Sequence, residues 1–378
     1  VSEYQYYEFH AIDRRLTAGE MAKLRSFSTR ARITPTSFVN DYQWGDFKGD
    51  EDAWMDKYFD AFLYFANWGT HILKLRLPSR VLDRATVDAY CVGESASVRE
   101  HEGKTIITFV SEQEEHEWSE ETDALSVLTP IRMQLGRGDL RSLYLGWLLC
   151  AQTGEIEDDE VVPPVPPGLK DLDGSLKRLV DFLRIDMDLI EVAAVASPAM
   201  QEESLSREAI RKWIAGQTAA KKDDYLERFI AAEDPALATE LQRLASNRHG
   251  AVAASHNPRT AGALLQAAQQ ASDDRRYAEA ERARIEKSRR EYEAALARAK
   301  YIGEIANREP SVWDEIETLI ATKQPANYDR AVGLLIDLRD AAAAQGREDG
   351  FMNRFEILRQ RHLRKPSLLS KFHRFGLR

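Results

Sequence analysis

Residues 38–68 read FVNDYQWGDFKGDEDAWMDKYFDAFLYFANW, thirty-one positions that hold eleven aromatic side chains. Each ring that leaves water contributes roughly 1.5 to 3 kcal/mol, so this block reads first as the seed of a hydrophobic core. Its opening, with Pro35 ahead and Gly45 and Gly49 behind, reads as a short strand passing into a turn. From Glu51 to Asn67 the apolar residues Trp54, Tyr58, Phe62 and Phe65 recur at three- and four-residue intervals, with Asp52, Asp56, Lys57 and Asp60 on the other side. That spacing predicts one amphipathic helix, its acids near the positive end of the helix dipole and its stop at Asn67 and Gly69. The following THILKLRLP, residues 70–78, alternates apolar and charged positions and predicts a strand closed by Pro78. The turn carries Tyr42, Trp44, Asp46 and Phe47 among amides and acids. Aromatic side chains on a loop are typical interface anchors, which makes these four the candidate partner-binding residues.

Outward from this block, YQYYEFHAI at 4–12 is rich in strand formers, and Thr17 with Glu20 three positions on makes a capping box for a helix through Met21, Leu24 and Phe27. Another strand is expected in ARITPTSFV, and a hairpin between SVREHEG and KTIITFV, turned at Glu102 and Gly103. Residues 1–154 are therefore expected to form an α+β domain, a mixed sheet with covering helices. Within it the acidic run EQEEHEWSEETD, 112–123, reads as a solvated loop, and His116 there has no second histidine at metal-ligand spacing.

Residues 155–169, EIEDDEVVPPVPPGL, set acids ahead of four prolines and are expected to form a semi-rigid linker. Beyond them the strand signals stop, and an all-α C-terminal half is expected. Residues 170–270 read as a bundle of short helices punctuated at Pro198, Gly216 and Pro235, with Asp171, Asp173 and Gly174 only a fragment of a calcium loop. Residues 271–308 read as one long charged helix held by pairs such as Glu286 with Arg290 and Lys287 with Glu291. Its seam of Ile285, Ser288, Tyr292, Ala295, Ala299, Ile302 and Ala306 offers a surface for a homodimer. Residues 309–378 read as a helical hairpin, Tyr328, Ala331, Leu335 and Leu338 opposing Phe351, Phe355 and Leu358, followed by a basic tail.

Of the 378 residues 43% are apolar and 30% charged, the composition of a globular protein of two or three domains. Counting Lys and Arg against Asp and Glu gives −12 for residues 1–160, −1 for 161–310 and +3 for 311–378, so the N-terminal part is a poor nucleic-acid surface. The last twenty residues are different: Arg359, Arg361, Arg364, Lys365, Lys371, Arg374 and Arg378 stand with Phe372 and Phe375 between them and no acid. Such a run grips phosphates and stacks on bases, or lies on an acidic protein surface. Two cysteines, Cys91 and Cys150, make no disulfide framework, and the longest apolar run, LRSLYLGWLLCA at 140–151, is too short to span a bilayer. With no apolar leader at its start, the chain is expected to be cytoplasmic, without a membrane partner.

The stretches YYEFHAID, TPTSFVNDYQWGDFKGD, ATKQPANYDRAVGLLIDLRD and RKPSLL together resemble a widespread family of uncharacterised bacterial proteins, over most of the chain. That resemblance implies no activity and transfers no catalytic residue. Residues 328–369 are similar to the helical tails of bacterial SWIM zinc-finger proteins, without the finger's Cys and His ligands, so the similarity implies a helical module and no zinc.

No catalytic, metal or nucleotide motif of dependable spacing is present, and no cofactor is expected. The chain is expected to be a non-enzymatic scaffold or adaptor that binds another protein through its helical half and the aromatic turn. The alternative is a nucleic-acid-associated accessory protein using the basic tail. A third reading, an enzyme, would take Asp41, Asp46 and His71 around the aromatic block as its acid–base groups.

Overall fold

A computed structural model of the chain describes residues 4–45, 47–113, 124–200, 206–231, 234–246 and 259–377. Two compact units divide at Asp274 and Arg275. The first holds strands β1 (Gln5–His10), β2 (Arg32–Thr34), β3 (Ser37–Tyr42), β4 (Ala61–Ala66), β5 (Thr70–Pro78), β6 (Ala96–His101) and β7 (Lys104–Glu112). Its helices are α1 (Ala18–Arg25), α2 (Glu51–Lys57), α3 (Arg84–Asp88), α4 (Ala124–Leu128), α5 (Pro130–Gly136), α6 (Arg141–Gln152), α7 (Gly174–Leu183), α8 (Met187–Ala194), α9 (Arg207–Ala215), α10 (Ala219–Ala231) and α11 (Leu237–Ala245). Helix α12 (Ala261–Asn307) begins in the first unit and ends in the second, which continues with α13 (Glu309–Ala321), α14 (Pro325–Ala344), α15 (Glu348–Arg361) and α16 (Pro366–Arg374).

The strands form one sheet in the order β2-β3-β1-β4-β5-β7-β6, and every pairing is antiparallel. The α+β class holds, with the sheet antiparallel throughout rather than mixed, because short hairpins join β2 to β3, β4 to β5 and β6 to β7. The capping box forms as its residues foretell: Thr17 Oγ1 accepts from the Glu20 amide at 3.2 Å and Glu20 accepts from the Thr17 amide at 2.8 Å. The β6–β7 turn sits at Glu102 and Gly103, both with positive φ, the geometry that a two-residue hairpin loop requires.

The helix expected over Glu51–Asn67 is only seven residues long. Asp50 caps it, accepting from the amides of Asp52 and Ala53 at 3.0 Å, and it ends at Lys57. Residues Ala61–Ala66 are instead the central strand β4, buried at every position. Phe62, Tyr64 and Ala66 face one way, and Ala61, Leu63 and Phe65 the other. A strand covered on both sides has no polar alternation, so its apolar run carries no period that separates it from a helix. Gly69 closes the β4–β5 turn at φ +99°, where a Cβ would lie 1.6 Å from the carbonyl oxygen of Gln113.

One face of the sheet, through Leu63, Leu73, Leu75, Ile107 and Phe109, packs on Leu128, Ile131, Leu143, Trp147, Leu179 and Leu183 of α4 to α7. The other face, through Phe9, Phe38 and Phe62, packs on Trp54, Met55 and Phe59 and on Leu24 of α1.

The linker expected at 155–169 is part of this packing. The core that starts on the sheet includes Ile156, Leu169 and Leu172 and runs on to Leu264 and Ala268. Val161 bridges Thr260, the Val162 amide donates to the Arg259 carbonyl at 2.9 Å, and Tyr90 Oη donates to the Pro164 carbonyl at 2.7 Å. The prolines lack amides, but the backbone groups around them find partners here, which pins the segment. The division between compact units therefore falls at Asp274 and Arg275, inside α12, not among the prolines.

Helix α12 starts at Ala261, ahead of the expected 271, because Ala261, Leu264 and Ala268 are buried in the first unit. Of its seam, Ile285, Ser288, Tyr292, Ala295 and Ala299 are exposed, while Ile302 lies in the second unit's core. That core brings Ala331, Leu335 and Leu338 of α14 against Phe351, Phe355 and Leu358 of α15, the expected pair, and adds Trp313 and Ile316 of α13 and Leu368 and Phe372 of α16. Among the described residues no helix is long and apolar enough to cross a membrane.

Candidate functional site

Strand β3 and helix α2 hold the aromatic turn from its two ends. Phe47 is drawn into the aromatic cluster, stacked on Tyr7 with centroids 4.8 Å apart and edge-on to Trp54 at 4.8 Å. Tyr42 stands edge-on to Tyr7 at 5.7 Å. Tyr7 in turn donates from its hydroxyl to Gln5 Oε1 at 2.7 Å, and burial pushes the pKa of that phenol upward. Gly45, at φ +80°, reverses the chain, and Trp44 beside it projects into solvent, 80% exposed. Of the four residues expected to meet a partner, Phe47 and Tyr42 build the base, Trp44 is presented, and Asp46 lies outside the described residues.

Of the acid–base candidates, Asp41 and His71 are not brought together, and Asp46 lies outside the described residues. Asp41, Tyr6, Phe65 and His71 occupy one row across β3, β1, β4 and β5, which puts Asp41 and His71 three strand spacings, about 14 Å, apart. Asp41 is exposed, whereas His71 is buried with Nδ1 2.6 Å from the Phe182 carbonyl oxygen and its ring stacked on Phe182 at 4.8 Å. That contact ties the sheet to α7. The thiols of Cys91 and Cys150 are both free, and burial pushes each up to about 12, which suppresses the thiolate at neutral pH. Asp173, of the calcium-loop fragment, caps α7 by accepting from the amides of Ser175 and Leu176. Among the described residues no group of three or more His, Cys, Asp and Glu side chains could hold a metal ion.

The basic tail is largely a packed helix. Leu368 and Phe372 of α16 are buried in the second core, so Phe372 is not presented to a nucleic-acid base. Arg361 donates to Glu317 at 2.5 Å, Lys371 pairs with Asp329, Lys365 Nζ donates to the Ile320 carbonyl at 2.9 Å, and Arg359 donates to Glu356 at 3.3 Å. Arg364 is exposed, the Arg374 guanidinium lies 5.7 Å from the Phe375 ring centre, and Arg378 lies outside the described residues. Asp329 and Glu317 stand more than forty positions from their cations, which is why the tail reads as unpaired in the sequence.

Two arrangements carry no signature in the sequence. Asp60 is fully buried; Oδ2 accepts from the amides of Ile12 at 2.7 Å and Asp13 at 2.8 Å, and Oδ1 from Arg76 Nη2 at 2.7 Å, with Arg132 Nη2 at 3.9 Å. Burial alone would raise its pKa, but the guanidiniums of Arg76 and Arg132 and the Asp13 amide outweigh burial and hold it below the usual carboxylate range. The second is the face of α10 made by Leu226, Phe229 and Ile230, which are 58%, 74% and 79% exposed. No residue of α10 is buried. In sequence that i, i+3, i+4 spacing reads as a core stripe, so only the structure reveals that it faces water. The helix is held by Arg228, which donates to Asp234 at 2.6 Å and also reaches Glu240, and by Tyr225 stacked with Trp213.

No protein-family model matches the chain, and no curated protein or solved structure matches it.

Proposed function

We propose that the protein is a non-enzymatic adaptor that binds another protein through the apolar face of α10, with Trp44 as a second anchor. The observation that carries this reading is the exposure of Leu226, Phe229 and Ile230 side by side on one helix face. Large apolar side chains grouped in water mark interaction surfaces, and covering each contributes roughly 1.5 to 3 kcal/mol. A helix face of this kind suits a groove on a partner, read at i, i+3 and i+4. Trp44 fits the same role because its turn is anchored through Phe47, so that little order is lost when it docks. The nucleic-acid alternative has less behind it, since most of the tail's cations already have partners within the chain.

The test is capture from the native cell at mild salt with four forms of the full chain: wild type, F229D/I230K, W44A, and W68A, the last altering a partly exposed tryptophan in a different turn. One stoichiometric partner retained by wild type and W68A, reduced at least tenfold by F229D/I230K and weakened by W44A, supports the proposal. Absence of a stoichiometric partner, or equal retention by all four forms, overturns it.

A further inference from the structure

The end of β5, the start of β7, the ends of α2 and α10 and the loop before α11 line a cleft of about 530 Å³. Six cations line it: Arg14, Lys57, Arg76, Arg80, Lys104 and Arg228. Two carboxylates share the wall, and both are already neutralised, Asp13 by Arg132 at 2.7 Å and Asp234 by Arg80 and Arg228. Arg14 and Arg76 are held in place by Glu20 and Asp60 behind them. Arg80 is itself paired with Asp234 and Glu240, so what remains without a carboxylate is the two lysines, and what remains of Arg80 is one edge of its guanidinium. Among the described residues neither Lys57 nor Lys104 has a carboxylate partner, and the hydrogen bonds of Arg80 use Nε and Nη2, leaving Nη1. Two ammonium groups and one edge of a guanidinium thus line one cleft without an acceptor among the described residues.

A second cleft of about 440 Å³ adjoins it, sharing Asp13, Pro78 and Pro235 in its wall. Its remaining lining is mainly apolar, with Ile12, Leu77, Val81, Met133 and Pro130 prominent. Both volumes lie in the range of small-molecule sites. A cationic chamber opening beside an apolar one matches a molecule with an anionic head and an apolar body. A phosphate group fits the head better than a single carboxylate, because its three acceptor oxygens and double charge match two ammonium groups and a guanidinium.

We propose that these adjoining clefts bind a small phosphate ester, its phosphate held by Lys57, Lys104 and Arg80 and its body lying against Leu77, Val81 and Met133. Arg228 and Ala231 of α10 line the cleft, but Leu226, Phe229 and Ile230 of the partner surface do not, so the two proposals are tested by separate substitutions.

Calorimetric titration of the full chain with inorganic phosphate, ADP and octyl phosphate tests it. At least one of the two esters is expected to bind ten-fold or more tighter than inorganic phosphate; preference for octyl phosphate assigns a lipid-type ester, preference for ADP a nucleotide. The charge reversal K57E/K104E is expected to weaken that ester at least tenfold without shifting the unfolding midpoint, since neither lysine holds an ion pair among the described residues. Met133→Asp is expected to remove the advantage over inorganic phosphate. Should the double reversal disturb folding, K57Q/K104Q gives the same reading with less perturbation. Absence of binding for every probe, or affinity for the ester unchanged by replacing both lysines, overturns the proposal.

Discussion

Asp60 shows how a single carboxylate is held where a charge is costly. Two amides and one guanidinium contact its oxygens directly, and breaking such a buried pair by removing one partner costs about 3–5 kcal/mol. Asp60→Asn keeps the shape and loses the charge, so its unfolding free energy in urea is expected to fall by an amount in that range, while Asp83→Asn, at the exposed cap of α3, costs less than about 0.5 kcal/mol because Asn caps a helix about as well as Asp. Because the folded carboxyl titrates below its unfolded value, its contribution is complete above the unfolded pKa and is lost as pH falls through the folded one. Wild type is therefore expected to lose stability on acidification more steeply than D60N, and parallel pH profiles would contradict the assignment. Residue-level features differ in how far sequence foretells them. The Thr17–Glu20 box is legible because both partners lie within one turn; Asp60 is not, because Arg76 and Arg132 are sixteen and seventy-two positions away.

At the scale of elements, periodicity succeeds where polar side chains alternate with apolar ones, even where, as with Lys74 and Arg76 of β5, the polar ones are buried against carboxylates. The strand at 70–78 and the 96–112 hairpin keep enough alternation to be read, and the α14–α15 pair keeps its heptad-like spacing. β4 defeats the same test because both of its faces are dry, and α10 defeats it in the opposite sense, with a core-like stripe left in water. α16 was legible as charge but not as packing. Phe372→Ala is expected to cost about 3–5 kcal/mol in the second unit, the usual loss for a buried ring, whereas Phe375→Ala, at a half-exposed position, costs less than about 1 kcal/mol. Thermal denaturation of both variants distinguishes a packed helix from a solvated basic tail, and equal small effects would favour the tail.

At the scale of the whole molecule, the division into an α+β part and a helical part was legible from where strand signals stop, but the boundary was not. Prolines mark a segment that cannot join a ladder; they do not say whether its carbonyls and valines are packed, and here Val162, Val165 and Leu169 lie against the core. Two compact units, with the second holding a core of its own, imply two units of cooperative opening. Phe355→Ala is expected to raise hydrogen exchange across residues 309–377 and leave β1, β4 and β5 unchanged, as read by mass spectrometry of peptides. Equal acceleration in both would mean that the chain opens as one unit.

The adaptor reading is tested most directly by in-cell photo-crosslinking from α10. With a photo-reactive residue replacing Phe229, one discrete adduct to a second protein is predicted, and none from Asp224 on the opposite side of the same helix. No adduct from 229, or identical adducts from both positions, would contradict it.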